Sequence, residues 1–252
     1  AFGRLSEASR ALGEYGKLLS PAVASAAETL RYRGYELEQR IVLRGTLRRR
    51  FRDLRLYVLI TESLCRRPWL ATAAAALRGG AGCLQLREKQ LSDGELLRRA
   101  RALRELTAQQ GVLLAINDRP DLARLAGADI VHIGQDDLSV REVRRIAGAN
   151  LLVGKSTHTI EQFEAACAEE PDYLAVGPMY ASGTKPQEHI AGPETLAVAR
   201  RMTELPLVAI GGITPDNVAA VRVAGASCVA ACAAVIGADD VEAAARRLCA
   251  DQ

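Results

Sequence analysis

Short apolar runs alternate with segments of helical periodicity from Leu56 to the end of the chain. The runs, in order, are LYVLI, CLQL, VLLAI, DIVHI, LLVG, YLAVG, PLVAI and CVAAC. Eight strands that alternate with helices over about 200 residues predict a (β/α)8 barrel. A doubly wound open sheet is the alternative, but the first run is not followed by the Gly-x-Gly-x-x-Gly turn typical of that fold.

The N-terminal part of the chain follows a different pattern. An amphipathic stretch over 5–19 and a helix that starts at Ser20-Pro21 predict a helical hairpin. The arginine-rich stretch RGTLRRRFRDLR covers 44–55. We interpret it as a solvated linker rather than an RNA-binding arm, because one phenylalanine offers little surface for base stacking. The expected organisation is a helical segment with a basic linker over 1–50 and the barrel over 51–252.

Composition excludes several classes of protein. The chain has 252 residues, of which 49% are hydrophobic and 25% charged, so it can bury a full core. No run approaches the roughly 20 apolar residues of a membrane helix, and the N-terminus lacks the apolar core of a signal peptide. A net charge of +3 is too small to indicate a nucleic-acid partner. Six cysteines without a Cys-x-x-Cys pair indicate reduced thiols and a cytoplasmic location. A homo-oligomer is compatible with this composition.

Polar residues follow nearly every predicted strand, and in a barrel these positions converge on one mouth, where the active site lies. The polar residues are Gln85, Arg87, Lys89, Asn117, Asp118, Gln135, Asp137, Ser156, His158, Ser182, Thr184 and Lys185, and the glycine pair Gly211 and Gly212 follows the seventh strand. Cations, hydroxyls and backbone N–H groups suit a phosphate. Asp118 and Asp137 would repel it unless they shared a divalent cation, and Mg²⁺ is typically held by carboxylates together with substrate phosphates. The alternative is that each caps the following helix.

Two further segments favour phosphate binding. Ser182 precedes Gly183, Thr184 and Lys185 in a loop that could wrap an anion. The segment AIGGITPDN (209–217) follows a strand with a glycine pair, and we expect Thr214 as helix N-cap and Pro215 as first helical residue, with free N–H groups at the mouth. A tight turn is the alternative role of the glycine pair.

The histidines and cysteines give weaker signals. We expect His132 to be a structural polar residue near the mouth rather than an acid or base, and His189 to be solvated, while His158 fits either a structural or a chemical role. Cys228 and Cys232 lie in an apolar run, so core packing is favoured over a nucleophile or a metal pair.

Six segments resemble the signature segments of the thiamine-phosphate synthase family in their order and spacing over about 56–240. They are QLREK (85–89), IND (116–118), VHIGQDD (131–137), GKSTHT (154–159), VGPMYASGTK (176–185) and AIGGIT (209–214). The resemblance implies a transferase that joins hydroxymethylpyrimidine diphosphate to a thiazole phosphate with Mg²⁺, giving thiamine monophosphate and pyrophosphate. A thiazole phosphate tautomerase-like relative and a noncatalytic sensor of phosphate ligands are the alternatives.

The resemblance also implies roles for individual residues, and it makes Arg87, Lys89 and Lys185 the catalytic cations. The pyrimidine diphosphate would meet Gln85, Arg87, Lys89, Asn117, Ser156 and Lys185. The metal ligands would be Asp118 and Asp137, with Asp136 turned outward. The thiazole phosphate would meet Ser182, Gly183, Thr184, Gly212, Cys232 and Ala233. Two positions depart from the family pattern: serine is frequent where this chain has Ala233, and a larger residue is usual where it has Gly183.

Overall fold

The computed structural model describes residues 2–148, 150–182 and 189–250, apart from the side chain of Arg40. Contacts divide the chain into two compact units, 1–47 and 48–252. The first unit consists of helix α1 (Phe2–Leu19) and most of helix α2 (Pro21–Arg52). Ser20 separates the helices, and its hydroxyl accepts a hydrogen bond from the backbone N–H of Ala22, so the predicted helix start is confirmed. No described helix is long and apolar enough to span a membrane.

The basic segment is not the irregular linker that we expected. Helix α2 continues to Arg52, and the ring of Phe51 in its last turn is only 2% exposed. Arg48 pairs with the buried carboxylate of Asp172 at 2.7 Å, and Arg50 donates to the carbonyl of Gly111 at 2.6 Å. The arginines are good helix formers, and several of them have partners on the barrel, which explains why this segment is ordered.

The second unit is a closed barrel of eight parallel strands in sequential order, so the predicted fold is confirmed. The strands are β1 (Leu56–Ile60), β2 (Cys83–Leu86), β3 (Leu113–Asn117), β4 (Ile130–Ile133), β5 (Leu152–Thr157), β6 (Tyr173–Val176), β7 (Leu207–Ile210) and β8 (Cys228–Ala231). The helices that follow them are α3 (Trp69–Arg78), α4 (Asp93–Gln109), α5 (Pro120–Leu125), α6 (Val140–Ala147), α7 (Ile160–Ala168), α8 (Gly192–Met202), α9 (Val218–Val223), α10 (Ala233–Ile236) and α11 (Val241–Cys249). A 3-10 turn, Glu62–Leu64, follows β1.

Side chains alternate along each strand between the helices and the lumen of the barrel. On β1, for example, Leu56, Val58 and Ile60 belong to the apolar layer that packs against the helices. Tyr57 and Leu59 face the lumen instead, where they line a cavity. The outer layer buries most of the hydrophobic surface, which leaves the lumen free to carry polar side chains at the end where the strands terminate.

Removal of the first unit should leave the barrel intact, because every described candidate site residue lies in the second unit. A variant that lacks 1–47 is expected to keep its turnover within about twofold and its cooperative thermal unfolding. A longer truncation that lacks 1–52 also removes Arg48 and Phe51, so its unfolding midpoint should fall clearly below that of the shorter one, as loss of a buried phenylalanine costs about 3–5 kcal/mol. Equal unfolding midpoints for the two truncated chains, or a 48–252 chain that folds but is inactive, would contradict this division.

Candidate active site

The lumen opens at the carboxyl ends of the strands into a cavity of about 80 Å³. Four of the predicted pyrimidine-site residues line it: Gln85, Arg87, Asn117 and Ser156. Leu59, Ala175, Val208, Ile210 and Ala230 supply an apolar wall. The cavity therefore combines a small apolar surface with a few convergent polar groups, as is typical of a ligand site.

Strand register explains why residues far apart in sequence meet here. Asn117 on β3 is paired with His132 on β4, His132 with Gly154 on β5, and Gly154 with Tyr173 on β6. Residues paired in this way lie in one layer of the barrel and point to the same side of the sheet. Ser156 lies two residues after Gly154 on β5, so its side chain points to the same side of the sheet and reaches the cavity.

The loop after β2 carries two cations toward the mouth and turns the acid between them away. The carbonyl of Arg87 accepts a hydrogen bond from the hydroxyl of Thr61 at 2.8 Å. Glu88 instead accepts from the backbone N–H of Glu62 at 2.6 Å and lies 3.6 Å from the guanidinium of Arg99. Lys89 lies 3.7 Å from the carboxylate of Asp118. The segment is thus fixed so that its cations face the predicted anion site.

Asp118 and Asp137 form a close pair, as the sequence predicted. Asp118 adopts a left-handed backbone with φ of 61°, which aspartate tolerates better than most residues, and its N–H donates to the carbonyl of His132 at 2.8 Å. Burial, followed by the facing carboxyl of Asp137, raises the pKa of Asp118 to about 6, although Lys89 and Arg87 oppose the shift. An acid whose charge is opposed by a facing carboxyl suits a bound cation.

The alternative role of these acids as helix caps is excluded. Helix α6 is capped by Ser139, whose side chain bonds the N–H of Glu142 in a capping box. Asp137 accepts from the N–H of Gly134 at 2.6 Å, and the N-cap position of α5 is Arg119. Asp137 is solvent-exposed, so it can reach a ligand at the mouth.

The predicted helix start after β7 is wrong. Helix α9 begins at Val218 with Asn217 at the N-cap, three residues later than expected from Thr214 as N-cap and Pro215 as first helical residue. The side chain of Asn217 accepts from the N–H of Thr214 at 2.8 Å and donates to the carbonyl of Gly212 at 3.0 Å, which closes a turn before the helix. The N–H of Thr214 is therefore not a free phosphate donor.

The glycine pair itself is required by close packing. Gly211 and Gly212 have φ of 99° and 65°, and a Cβ at Gly212 would lie 2.6 Å from the carbonyl oxygen of Tyr180. Only glycine fits this combination of conformation and space. The pair brings the β7 loop against 180–181, directly before Ser182. Gly183, Thr184 and Lys185 lie outside the described residues.

The three histidines and the cysteines Cys228 and Cys232 differ in their surroundings. Burial lowers the pKa of His132 to about 4, so its imidazole is neutral near pH 7. The Nδ1 atom of His158 lies 2.6 Å from the carbonyl oxygen of Gly177, and His189 is exposed. Burial raises the pKa of Cys232 to about 11 and that of Cys228 further, so neither thiol is an activated nucleophile. All six cysteines are free.

Comparison with known proteins identifies the family. The family model described as thiamine monophosphate synthase matches residues 56–235. Thiamine-phosphate synthase of Moorella thermoacetica is 45% identical over 195 residues, which are 77% of this chain and 93% of that protein. The chain belongs to the thiamine-phosphate synthase family. A longer family member, from Thermosynechococcus vestitus, is 41% identical over 250 residues, covering 98% of this chain and 70% of the relative.

A solved structure within this family has the same fold. Thiamine phosphate pyrophosphorylase from Pyrococcus furiosus superimposes with a TM-score of 0.73 at 32% identity, covering 79% of this chain and 95% of that one. The longer relative also matches the N-terminal helices, since 98% of this chain is aligned with it. The helical segment ahead of the barrel therefore occurs in other members of the thiamine-phosphate synthase family.

The sequence pattern assigns no role to two tyrosines of the site and only a structural one to His132. Tyr57 and Tyr173 are buried in the lumen, and both the Tyr57 hydroxyl and the His132 imidazole contact predicted substrate-binding side chains. Tyrosine and histidine inside apolar strand runs were the available signal, since a buried polar group needs a partner.

Proposed function

We propose that the chain condenses hydroxymethylpyrimidine diphosphate with thiazole phosphate to give thiamine monophosphate and pyrophosphate. It is a thiamine-phosphate synthase, a transferase of thiamine biosynthesis. The observation that carries the proposal is the lumen cavity lined by Gln85, Arg87, Asn117 and Ser156. Beside it stand the Asp118–Asp137 pair and Lys89, so one mouth offers both a pocket for a small ring and charges for a diphosphate.

The site suits a reaction in which the diphosphate leaves before the new bond forms. The diphosphate is carried by a benzylic-type carbon, so its departure gives a cation stabilised by the pyrimidine, and the thiazole nitrogen then attacks that carbon. No protein nucleophile is needed. Arg87 and Lys89, with Lys185 implied by the resemblance, would neutralise the charge that develops on the departing oxygens.

The residues present fit Mg²⁺. No group of three or more His, Cys, Asp or Glu side chains that could hold a metal occurs within 2–148, 150–182 and 189–250. A pair of carboxylates is nevertheless enough for Mg²⁺, which commonly completes its octahedron with water and substrate phosphates. Asp118 and Asp137 would hold the ion, which when bound supplies positive charge next to the leaving diphosphate.

The two substrates would occupy neighbouring parts of the mouth. Gln85, Asn117 and Ser156 would hold the pyrimidine ring against the apolar wall of the cavity. The thiazole phosphate would meet the β7 and β8 loops through Gly212, Cys232 and Ala233. The resemblance adds Ser182, Gly183 and Thr184 to this second site.

Product analysis tests the proposed reaction. Incubation of the chain with both substrates and Mg²⁺ should yield thiamine monophosphate and pyrophosphate in equal amounts, detected by ³¹P NMR and mass spectrometry. Omission of either substrate should abolish both products. Isomerisation of the thiazole phosphate alone would indicate the tautomerase-like alternative, and binding without turnover would indicate the sensor.

We also propose a cellular location and an oligomeric state. Six free thiols without a disulfide favour the cytoplasm, where thiols stay reduced. Self-association into a homo-oligomer remains a proposal that size-exclusion chromatography with light scattering would test.

Mg²⁺ binding should depend on pH through Asp118. Its pKa of about 6 in the folded chain lies above the ordinary 3.8, so the carboxyl is protonated below pH 6 and must lose that proton to bind the ion. The Mg²⁺ concentration for half-maximal activity should therefore rise as pH falls from 7 to 5. Without metal, the unfolding free energy should fall as pH rises from about 4 to 6, because the native state binds the extra proton over this window. A Mg²⁺ requirement independent of pH would contradict the assignment.

Ala233→Ser should improve binding of the thiazole phosphate. Ala233 is exposed at the start of α10, directly after β8, so a hydroxyl there has space to reach a phosphate. One added hydrogen bond to a charged group contributes about 1.5–3 kcal/mol at most, and we expect a lower KM for thiazole phosphate with an unchanged KM for the pyrimidine diphosphate. A KM for thiazole phosphate that stays the same or rises would show that this loop does not hold the phosphate.

A further inference from the structure

Five polar side chains form one continuous row of hydrogen bonds through the lumen. The amide nitrogen of Gln85 donates to the hydroxyl of Tyr57 at 2.8 Å, and this hydroxyl lies 3.4 Å from that of Tyr173. The Tyr173 hydroxyl lies 2.8 Å from Nδ1 of His132. Nε2 of His132 lies 2.8 Å from the hydroxyl of Ser156. We call this set the lumen row. Its two ends, Gln85 and Ser156, both line the cavity.

Packing holds the middle of the lumen row in place. Tyr173 is fully buried, and its ring stacks on Phe51 with 4.2 Å between centroids and on His132 with 5.6 Å. The ring fills space that a side chain at position 154 would need, since a Cβ on Gly154 would lie 1.9 Å from it. A ring confined on three sides has little freedom to move its hydroxyl away from His132.

The positions of the protons determine which group donates in each hydrogen bond of the lumen row. Burial raises the pKa of both tyrosines well above the ordinary range, so each hydroxyl keeps its single proton. Because Gln85 donates to Tyr57, the proton of Tyr57 is available for Tyr173. The proton of Tyr173 is then directed to Nδ1 of His132, which places the imidazole proton on Nε2, facing Ser156.

The ends of the lumen row consequently have opposite roles toward a ligand. Gln85 has committed one amide N–H to Tyr57, which fixes its amide orientation and leaves its carbonyl oxygen as an acceptor. With the imidazole proton on Nε2, the Ser156 hydroxyl 2.8 Å away accepts from His132, so its own proton is free to be donated. An aminopyrimidine presents the complementary pair, an amino N–H donor and a ring-nitrogen acceptor. The corresponding oxo-pyrimidine presents an oxo acceptor and a ring N–H donor instead.

We propose that Tyr57, Tyr173 and His132 are positioning residues that fix Gln85 as acceptor and Ser156 as donor, and so select a 4-aminopyrimidine over its 4-oxo analogue. This inference rests on the proposed function, because it concerns the pyrimidine site of that reaction. Tyr57 and His132 also line the cavity, whereas Tyr173 is not part of its lining and acts on the substrate only through the lumen row. Breaking the row in its middle should therefore weaken discrimination between the two rings without removing any group that touches them.

Tyr173→Phe breaks the lumen row while keeping the ring. We expect the KM for the aminopyrimidine diphosphate to rise about tenfold and its preference over the 4-oxo analogue, as the ratio of kcat/KM values, to fall at least about tenfold. The KM for thiazole phosphate should stay within about twofold. Thr107→Val is the matched control, because it also deletes a fully buried hydroxyl, bonded at 3.2 Å to the carbonyl of Arg104 on α4. It should change stability but not the preference.

An unchanged preference in a folded Tyr173→Phe variant, or an equal rise in both KM values, would overturn the proposal. The wild-type imidazole gives a test that needs neither this variant nor turnover. ¹⁵N NMR of the wild-type chain with labelled histidine, assigned with His132→Gln, should show His132 protonated on Nε2 with Nδ1 bare. Protonation on Nδ1 would reverse the row and refute the assignment of roles. Absence of thiamine monophosphate formation by the wild type would refute the proposed reaction instead.

Discussion

Asp118→Asn and Asp137→Asn should each lower turnover at least about a hundredfold, which corresponds to roughly 2.7 kcal/mol of barrier. Each change removes a negative charge from the close pair at the ends of β3 and β4. An amide is a neutral and weaker oxygen ligand for Mg²⁺, so raised Mg²⁺ should restore part of the lost activity. The measurement is steady-state pyrophosphate release over a Mg²⁺ titration.

Asp136→Asn is the matched control for this pair. Asp136 is exposed, as is Asp137, but it is Asp137 that faces Asp118 and accepts from the N–H of Gly134. Replacement of Asp136 removes the same charge one residue away from Asp137. It should lower turnover less than about threefold, within the range expected for an exposed charge. If Asp136→Asn were as damaging as Asp137→Asn, the metal site would not be the one assigned here.

Gly154→Ala should disrupt the centre of the barrel. The new Cβ would lie 1.9 Å from the ring of Tyr173 and 2.4 Å from its hydroxyl, and that ring is confined by Phe51 and His132. We expect unfolding to become easier by about 3 kcal/mol, at the upper end for overpacked cores, measured as a shift of the denaturant midpoint. Affinity for the pyrimidine substrate should fall with it, because Tyr173 supports His132 and through it Ser156.

Gly94→Ala provides the control for added volume. A Cβ at Gly94, near the start of α4, has nothing within 4 Å. Alanine is favoured over glycine in a helix by about 1 kcal/mol, so this variant should be as stable as the wild type or slightly more so. A Gly154→Ala variant as stable as Gly94→Ala would mean that the Tyr173 ring can leave its position without cost.

The sequence predicted the barrel because its signal is local and repeated. Each apolar run and each helical stretch carries its own periodicity, and even the start of α2 at Pro21 was predictable from Ser20-Pro21. The meeting of Asp118 and Asp137 followed from the same topology, since carboxyl ends of neighbouring parallel strands lie together. The roles of the other site residues rested on the family resemblance rather than on periodicity.

Features that depend on contacts between distant residues were not predictable. Helix α9 starts at Val218 and not at Pro215, because the side chain of Asn217 closes a turn that local propensity does not reveal. The arginine-rich segment has the composition of a linker, and its partners Asp172 and Gly111 lie 124 and 61 residues away in sequence, so the sequence does not reveal its contacts. The lumen row escaped notice because hydrogen bonds across a barrel depend on strand register, which the sequence alone does not give.

The central claim is that the carboxylate pair and the cations of the β2 loop form one metal-dependent diphosphate site. Isothermal titration calorimetry of pyrophosphate into the wild-type chain, with and without Mg²⁺, tests it most directly. We expect Mg²⁺ to tighten pyrophosphate binding at least about tenfold, or roughly 1.4 kcal/mol, and Asp118→Asn to remove most of that gain. Pyrophosphate that binds equally tightly without Mg²⁺, or an enhancement that persists in Asp118→Asn, would contradict the claim.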